Sequence, residues 1–203
     1  IGDEPVMPYD RPPLSKNFLA GEWDADRVAL RKPEAFDALN ITWKLGHPAT
    51  SLNIDANEVT LADGTVIAYD GLVIATGGVV RTLPNQPAIA GVHVLRTLAH
   101  AESLRSELVE GARVVVIGAG FIGLEAAATA TARGCAVTVL EGLEAPLIRA
   151  LGPEMGNAIG AVHERNGVTI RCGVQVKSID GTDRVTGITL GTGEVVHADV
   201  VIV

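Results

Sequence analysis

Apolar and polar residues follow two alternating periods in the second half of the chain, and this pattern predicts its main elements. Short continuous apolar runs predict buried strands, and longer stretches with apolar residues three and four positions apart predict helices. The predicted elements are, in order, a helix near 99–109, a strand over 113–117, a helix over 121–133, a strand over 136–140, a helix over 153–166 and a strand over 168–171. Strands that alternate with helices are typical of an α/β fold whose parallel sheet is covered on both faces.

The rest of the chain is rich in proline at its start and then shows the short apolar segments typical of strands. Four prolines within residues 1–13 force turns or extended backbone, and Ser15 is predicted to cap a short helix that ends near Gly21. Pro33 begins a helical stretch that reaches Leu39. The remaining predicted elements are strands over 50–54, 58–61 and 65–69, a hairpin turn at Asp63-Gly64, a buried strand over 72–76 that runs into Gly77-Gly78, a linker over 79–92, and a small β-meander from 174 onward with turns at Asp180-Gly181 and Gly191-Thr192-Gly193.

A glycine-rich turn, Gly118-Ala119-Gly120-Phe121-Ile122-Gly123, joins the predicted strand over 113–117 to the helix that follows it. In this position Gly118 permits a tight turn, Gly120 lets the backbone approach a diphosphate, and Gly123 lets the helix pack closely on the strand. The phosphates then meet free N–H groups at the start of the helix. The motif in this context predicts a dinucleotide-binding site.

Glu141 ends the next predicted strand, 23 residues after Gly118. A carboxylate at about this offset accepts hydrogen bonds from the adenosine ribose hydroxyls and repels a 2′-phosphate, which favours NADH over NADPH. Arg149 follows eight residues later, and an arginine can pair with that phosphate, so NADPH stays an alternative. The simpler alternative is a glycine turn and a surface glutamate in a generic α/β domain.

Composition narrows the class of protein. Apolar residues make up 47% of the chain, enough for a sizeable core, and the net charge of -8 argues against nucleic acid or an anionic membrane as partner. Cys135 and Cys172 lack the spacing of a metal or redox motif and favour reduced thiols in a cytoplasmic protein. The chain opens without methionine and closes within the apolar run 198–203, so we expect it to be a fragment.

The loop Pro8-Tyr9-Asp10-Arg11-Pro12-Pro13-Leu14-Ser15-Lys16 carries two cations into a helix start. By itself it suits a diphosphate or a flavin, or else an ordinary surface loop. Followed by Ala75-Thr76-Gly77-Gly78, Leu95-Arg96-Thr97 and the glycine-rich turn, in that order, it resembles the NADH-dependent ferredoxin reductases of bacterial oxygenase systems, which belong to the FAD-dependent pyridine nucleotide-disulfide oxidoreductase superfamily. The resemblance covers the whole chain.

The resemblance implies a Rossmann-like flavoprotein that binds FAD and NADH, with the NAD domain inserted in the FAD domain. Residues 1–97 would belong to the FAD-binding domain and 98–203 to the NAD-binding domain. The glycine motif that holds the FAD diphosphate in this family is absent from the chain and is expected before Ile1. Whether the chain alone retains FAD is therefore left open.

The resemblance also assigns site residues. It places Asp3 at the FAD ribose, Arg11 and Lys16 near the FAD diphosphate and flavin, and Ala49, Thr76, Gly77 and Arg96 along the same cofactor. On the nicotinamide side it places Ile122 and Glu125 near the ring, with Glu141 and Arg149 at the adenosine end. Glu125 is expected to pair with Lys16 beside the flavin, and these two are the candidate catalytic residues.

The implied function is transfer of electrons from NADH through FAD to an iron–sulfur ferredoxin that serves an oxygenase or a cytochrome P450. The loop 12–16 holds no cysteine, so a thiol relay through it is excluded and the flavin passes electrons on directly. Two alternatives remain: an enzyme similar to monodehydroascorbate reductase that reduces a small molecule, and an apoptosis-inducing-factor-like protein in which NADH acts as an interaction switch. A monomer or a homodimer is expected.

Overall fold

The computed structural model describes residues 1–203, and they form two compact units. The first unit contains residues 1–10 and 29–79, and the second contains residues 11–28 and 80–203. The segments 11–28 and 80–97 are thus grouped with the unit that contains the glycine turn. The division into an FAD domain over 1–97 and an NAD domain over 98–203 stays a prediction.

Helices and strands alternate along most of the second unit. In chain order the helices are α1 (Asn17–Ala20), α2 (Ala25–Val28), α3 (Pro33–Asp37), α4 (Leu98–Glu107), α5 (Phe121–Ala132) and α6 (Ile148–Arg165), with a 3-10 turn at Pro12–Ser15. The strands are β1 (Ala49–Asn53), β2 (Glu58–Leu61), β3 (Val66–Ala68), β4 (Val92–His93), β5 (Arg113–Ile117), β6 (Ala136–Leu140), β7 (Thr169–Arg171), β8 (Val176–Gly181), β9 (Val185–Leu190), β10 (Val195–His197) and β11 (Val200–Ile202). None of the helices combines the length and the apolar character needed to cross a membrane.

A five-stranded parallel sheet forms the centre of the second unit, in the order β4-β11-β5-β6-β7. The valines of β5 are buried, as expected for a strand covered on both faces. Ile117 of β5 is paired with Leu140 of β6. Because parallel strands end at the same edge, the glycine turn after β5 and Glu141 after β6 lie side by side. The predicted α/β class with a parallel sheet is confirmed.

Helix α5 packs on this sheet through small side chains. Ala126, Ala127 and Ala130 are fully buried on one side of the helix, and alanine lets a helix approach a sheet without leaving voids. Gly123 lies on the same helix, where an added Cβ atom would overlap the carbonyl oxygen of Gly118. The close approach of α5 to the end of β5 therefore requires glycine at this position.

Residues 11–28 are held against α4 and α5 by Phe18, Leu19 and Arg133. Phe18 and Leu19 are completely buried. The guanidinium of Arg133 donates hydrogen bonds to the backbone carbonyls of Leu19 at 2.9 Å, Leu108 at 3.0 Å and Arg105 at 3.2 Å. We call this arrangement the Arg133 clamp. It satisfies carbonyl groups at the ends of α1 and α4 that have no partner within a helix.

The antiparallel meander β8-β9-β10 packs against the parallel sheet. Ile188 and Leu190 of β9 share a buried cluster with Val115 and Leu140. The predicted turn at Gly191-Thr192-Gly193 is confirmed, with the Gly193 N–H donating to the carbonyl of Leu190. The predicted turn at Asp180-Gly181 is wrong, because β8 continues through Gly181 and reverses after it, with an irregular register between Asp180 and Gly181.

The first unit contains the antiparallel sheet β1-β2-β3. Its strands lie within two residues of the predicted limits at each end. The turn at Asp63-Gly64 is confirmed: Gly64 has a φ of +84°, which favours glycine, and the Asp63 carboxylate accepts a hydrogen bond from the Thr65 N–H at 2.9 Å.

Two predicted elements are corrected. The buried strand over 72–76 is absent: Val73 is 87% exposed and Ile74 70% exposed, and no strand within residues 1–203 pairs with this segment. Part of the predicted linker over 79–92 instead contributes the edge strand β4. An apolar run of this length predicts a strand only where neighbouring strands complete its backbone hydrogen bonds.

The N-terminal helical segment also differs from its prediction. Helix α1 ends at Ala20 and is followed, as expected, by Gly21, which adopts the left-handed conformation. Ser15 does not cap it: Lys16 separates the 3-10 turn from α1, and the Ser15 side chain is not bonded to the helix start. Helix α6 begins at Ile148, but Gly152 interrupts it at a φ of +77°, so its regular part begins at Pro153 as predicted.

His93 of β4 is a buried titratable side chain, and we expect it to make the stability of the protein fall in mild acid. Its Nε2 lies 3.3 Å from Oε1 of Glu107 without hydrogen-bonding geometry. Burial lowers the pKa of His93 from 6.5, although Glu107 opposes the shift, and Arg184 and His100 add to it. The unfolded chain thus binds the proton more readily, so the free energy of unfolding decreases as the pH falls below 6.5.

Denaturant unfolding at pH 7.5 and pH 5.5 tests this expectation. His93→Gln should lose part of the difference between the two pH values that the unsubstituted protein shows. His163, whose pKa burial also lowers, contributes in the same direction and accounts for a remainder. His197→Gln, at an exposed position of β10, is the control and should keep the full difference. An identical pH dependence in His93→Gln and the unsubstituted protein would contradict the assignment.

Candidate nucleotide and flavin sites

A cleft of about 600 Å³ lies at the edge of the parallel sheet where β5 and β6 end. We call it the nucleotide cleft. Its walls are the glycine turn, the segment after β6, the start of α6 and the entry to β8. Four predicted site residues line it, namely Gly118, Gly120, Glu141 and Arg149. A ligand at this edge would occupy the position that ligands take in open α/β sheets.

The glycine turn has the backbone geometry that its sequence predicts. Gly118 has a φ of +104°, which disfavours other residues. Gly120 is the N-cap residue directly before α5, and a Cβ atom placed on it would have no atom within 4 Å. The space beside Gly120 is therefore open to a ligand. Gly123 does not line the cleft, and its role is to let α5 approach the turn.

Glu141 is fixed by the backbone around it. Its Oε2 accepts a hydrogen bond from the Ala119 N–H at 2.7 Å, and its Oε1 accepts one from the Leu143 N–H at 2.9 Å. Each carboxylate oxygen keeps a second lone pair, so both can still accept from ribose hydroxyls. The glutamate thus braces the glycine turn and presents acceptors to the cleft in one arrangement.

A second cleft of about 300 Å³ in the same unit contains four of the five other charged site residues, and we call it the lysine cleft. Arg11, Lys16, Arg96, Ile122 and Glu125 line it. These positions come from three distant parts of the chain, and the resemblance assigned them to the flavin or the nicotinamide ring. Their convergence is what those assignments require.

Lys16 and Glu125 form an ion pair in the lysine cleft. The distance from Lys16 Nζ to Glu125 Oε2 is 2.6 Å, and the two side chains are 45% and 34% exposed. The Ser15 hydroxyl donates to the same Oε2, also at 2.6 Å. Lys16 Nζ donates in addition to the Pro12 carbonyl at 3.2 Å. The expected pairing of Lys16 with Glu125 is present in the structure.

Phe121 lines both the nucleotide cleft and the lysine cleft. It is the residue after Gly120 and is more than half exposed. The two clefts are therefore neighbours along one face of the second unit. A ligand long enough to extend past Phe121 would reach both.

The first unit has a cleft of about 480 Å³ that contains two further predicted residues, Ala49 and Thr76. Gly77 follows Thr76 in the left-handed conformation, with a φ of +67°. Asp3 lies in an exposed bend near the start of the chain and does not line this cleft. The structure therefore brings Ala49 and Thr76 together and leaves Asp3 outside their cleft.

The cysteines lie away from the lysine cleft. Cys135 is buried, with its thiol directed at the Val109 carbonyl, and Cys172 follows β7. Burial raises the pKa of both thiols, which disfavours the reactive thiolate. Neither cysteine lines the lysine cleft, so no disulfide lies beside Lys16. Residues 1–203 also contain no group of three or more potential metal ligands.

The site residues predicted from the sequence did not include several residues of these clefts, among them Ser15, Phe121 and Arg81. Ser15 was assigned to a helix cap, yet it is 5% exposed and bonded to Glu125. Phe121 was only a variable position of the glycine motif. Arg81 lines the nucleotide cleft from the segment before β4. The position of Ser15 directly before Lys16 in the loop was its one signal in the sequence, and the sequence holds none for Arg81.

Comparison with known proteins identifies the family. The whole chain, residues 1–203, matches the pyridine nucleotide-disulphide oxidoreductase family. Rhodocoxin reductase of Rhodococcus erythropolis is 45% identical over 205 residues, which cover 100% of this chain and 48% of that protein. Putidaredoxin reductase of Pseudomonas putida is 41% identical over 209 residues, covering 100% of this chain and 50% of that protein. The chain spans about half the length of these curated relatives.

Comparison of the structure with solved structures gives the same group of relatives. The crystal structure of the covalent putidaredoxin reductase–putidaredoxin complex superposes with a TM-score of 0.95 at 39% identity, over 99% of this chain and 50% of that one. A ferredoxin reductase from Rhodopseudomonas palustris that belongs to the CYP199A2 system superposes with a TM-score of 0.92 at 37% identity, over 98% of this chain and 50% of that one. Because the family match extends over all of residues 1–203 and the fold superposes on these relatives, the chain belongs to the pyridine nucleotide-disulphide oxidoreductase family.

Proposed function

We propose that the protein containing this chain is an NADH-dependent flavoprotein reductase that delivers electrons to an iron–sulfur ferredoxin, and through it to an oxygenase or a cytochrome P450. The observation that carries the proposal is the position of Phe121 between a cleft suited to a dinucleotide and a cleft with a Lys–Glu pair. The names of its relatives, rhodocoxin reductase and putidaredoxin reductase, support the same acceptor class.

The nucleotide cleft fits NADH by the chemistry of its walls. Gly120 offers open space and free N–H groups at the start of α5 for the diphosphate. Glu141 presents fixed acceptors for the adenosine ribose, and Arg149 lines the same cleft. The fixed carboxylate cannot turn away from a 2′-phosphate without releasing the Ala119 and Leu143 N–H groups. These features favour NADH over NADPH.

The residues around the lysine cleft fit the flavin part of FAD. Arg11, Lys16 and Arg96 bring positive charge to a cleft that Ile122 makes partly apolar, a combination suited to an anionic aromatic cofactor. In the first unit Ala49, Thr76 and Gly77, together with Asp3, are assigned to the same cofactor by resemblance. When bound, FAD would supply the redox chemistry, because a flavin can accept two electrons from a donor and pass them on one at a time.

Lys16 and Glu125 have distinct proposed roles in this cleft. The Lys16 ammonium stabilises negative charge on the reduced cofactor, because a cation in a partly desolvated site lowers the energy of a nearby anion. Glu125 holds Lys16 in place and orients the nicotinamide carboxamide, because its carboxylate can accept hydrogen bonds from the carboxamide N–H groups. Ser15 fixes the Glu125 carboxylate through its hydroxyl. None of these roles requires a nucleophile.

The remaining features of the proposal concern the whole protein. The solved complex of putidaredoxin reductase with putidaredoxin supports a protein acceptor. Residues 1–97 would belong to an FAD domain and 98–203 to an inserted NAD domain, and the exposed segment 72–76 would be covered by the rest of that FAD domain. We place the protein in the cytoplasm as a monomer or homodimer that binds neither nucleic acid nor membrane.

Reconstituted electron transfer tests the proposed function. The full-length protein is mixed with NADH, a [2Fe–2S] ferredoxin and cytochrome c as the final acceptor. Reduction of cytochrome c should depend on ferredoxin, with a rise of about tenfold or more over the rate without it, and NADH should be preferred to NADPH. The same rate with and without ferredoxin would contradict the proposed acceptor. Rapid reduction of a small quinone or ascorbate radical in its place would favour a small-molecule reductase.

A further inference from the structure

Arg81 lines the nucleotide cleft although it lies 37 residues before Gly118 in the chain. It belongs to the irregular segment that precedes β4. Its side chain makes no hydrogen bond or ion pair within the protein, unlike Arg113 and Arg171, which are paired with carboxylates. An arginine at a cleft without an internal partner is available to a ligand.

The segment that carries Arg81 is fixed by a small turn. The Gln86 side-chain oxygen accepts a hydrogen bond from the Leu83 N–H at 3.1 Å, and the Gln86 N–H donates to the Leu83 carbonyl at 3.1 Å. Asn85, between them, adopts the left-handed conformation that asparagine tolerates. Leu83 itself lines the nucleotide cleft. The turn therefore holds the chain two residues after Arg81 at the wall of the cleft.

The charges of the cleft favour an anion. Its ionisable lining residues are Arg81, Arg149 and Glu141, which sum to one positive charge. Two backbone N–H groups already share the negative charge of Glu141. The N–H groups at the start of α5 add further positive potential on the same side as Gly120. A ligand with two negative charges close together would match this distribution better than a neutral one.

We propose that Arg81 binds the diphosphate of the dinucleotide, together with the glycine turn. The inference rests on the proposed function and names one more residue of that site. The planar guanidinium can donate two parallel hydrogen bonds to phosphate oxygens. A 2′-phosphate is the less suitable partner, because Glu141 is fixed at the ribose position and repels it. Arg81 thus contributes affinity for any ligand with the diphosphate and does not select between NADH and NADPH.

Isothermal titration of the full-length protein with three nucleotides tests the proposal without any turnover. The probes are ADP-ribose, which has the diphosphate, AMP, which has the same adenosine and a single phosphate, and 2′-phospho-ADP-ribose. Arg81→Met should raise the Kd of ADP-ribose about tenfold, the effect expected for a lost hydrogen bond to a charged group. The Kd of AMP should change no more than about twofold, and Arg81→Lys should restore part of the lost affinity.

Two matched variants complete the design. Arg165→Met removes an exposed arginine at the end of α6 that lies outside the cleft, and it should leave all three Kd values unchanged. Glu141→Ala removes the ribose acceptors and should weaken both ADP-ribose and AMP. Raising the salt concentration should weaken ADP-ribose less in Arg81→Met than in the unsubstituted protein, because one charge no longer takes part.

The outcomes separate this inference from the proposed function. If Arg81→Met binds ADP-ribose as tightly as the unsubstituted protein, Arg81 is not a diphosphate ligand, while the dinucleotide site stands. A selective loss of 2′-phospho-ADP-ribose would assign Arg81 to the 2′-phosphate and overturn the diphosphate contact. If the unsubstituted protein does not bind ADP-ribose, the proposed function and the role of Arg81 both fail.

Discussion

Gly120→Ala is expected to weaken NADH binding by about tenfold or more, equivalent to at least about 1.4 kcal/mol, while leaving the stability of the protein unchanged. The backbone of Gly120 is extended, at a φ of −78°, which alanine adopts easily. No atom lies within 4 Å of the added methyl group. The methyl group would instead occupy the space that a diphosphate needs for contact with the turn.

Gly123→Val provides the contrast within the same motif. Its Cβ atom would overlap the Gly118 carbonyl and lie 3.3 Å from a methyl group of Val116, so α5 must move away from β5. We expect a loss of about 2 kcal/mol in the free energy of unfolding, the usual cost of overpacking a filled core. Gly120→Ala should unfold at the same denaturant concentration as the unsubstituted protein.

Denaturant unfolding and NADH titration of the two variants show whether the glycine turn binds the nucleotide or has only a structural role. The glycine turn is a binding element if Gly120→Ala loses affinity at full stability. It has only a structural role if Gly120→Ala binds NADH normally, and in that case the nucleotide site proposed here would be wrong. Gly64→Ala, in the β2–β3 turn, is a control for a glycine with a positive φ and no ligand: it should lower stability slightly and leave NADH affinity unchanged.

Lys16→Met is expected to have the second large effect. Under the proposed function we expect kcat/KM of the full-length protein for NADH to fall about 100-fold, the size seen when one fixed charge or donor is removed from an active site. The substitution keeps the length of the side chain and removes the ion pair with Glu125 at 2.6 Å. Glu125→Gln should reduce the rate less, because its amide oxygen can still accept from Ser15 or Lys16.

The double variant tests whether the two residues act together. If Glu125 acts chiefly by holding Lys16, Lys16→Met with Glu125→Gln should be close to Lys16→Met alone, far from the product of the two single effects. Flavin absorbance and the melting temperature should be unchanged, which separates loss of activity from loss of cofactor. Lys177→Met, at an exposed position of β8, is the matched control. A multiplicative double variant would refute the coupling, and an unchanged rate in Lys16→Met would remove Lys16 from the site.

Local patterns predicted the nucleotide cleft well. The strand, the glycine turn and the helix are consecutive in the chain, and the parallel sheet necessarily brings the end of β6 beside the end of β5. Gly118, Gly120, Glu141 and Arg149 therefore share a cleft as expected. The pattern could not show that Glu141 braces the turn, because its hydrogen bond to Ala119 depends on the side-chain conformation in the fold.

Contacts between distant segments escaped prediction from local pattern. Ser15 and Glu125 are 110 residues apart, and packing of the 3-10 turn and α1 on α5 brings them together. The proximity of Lys16 to Glu125 was expected from resemblance to a family, since periodicity carries no such information. For the segment 72–76 the local pattern predicted too much. Its composition is that of a buried strand, but no neighbouring strand within residues 1–203 pairs with it.

The Arg133 clamp determines where this protein can be divided. A truncation that begins at Val80, the natural choice for isolating the unit with the parallel sheet, would remove Phe18 and Leu19 from their packing on α4 and α5 and leave Arg133 without one of its three carbonyls. The same cut would remove the cation beside Glu125. A chimera that exchanges this unit between the protein and a relative must therefore carry residues 11–28 together with 80–203, although more than fifty residues separate them in the chain.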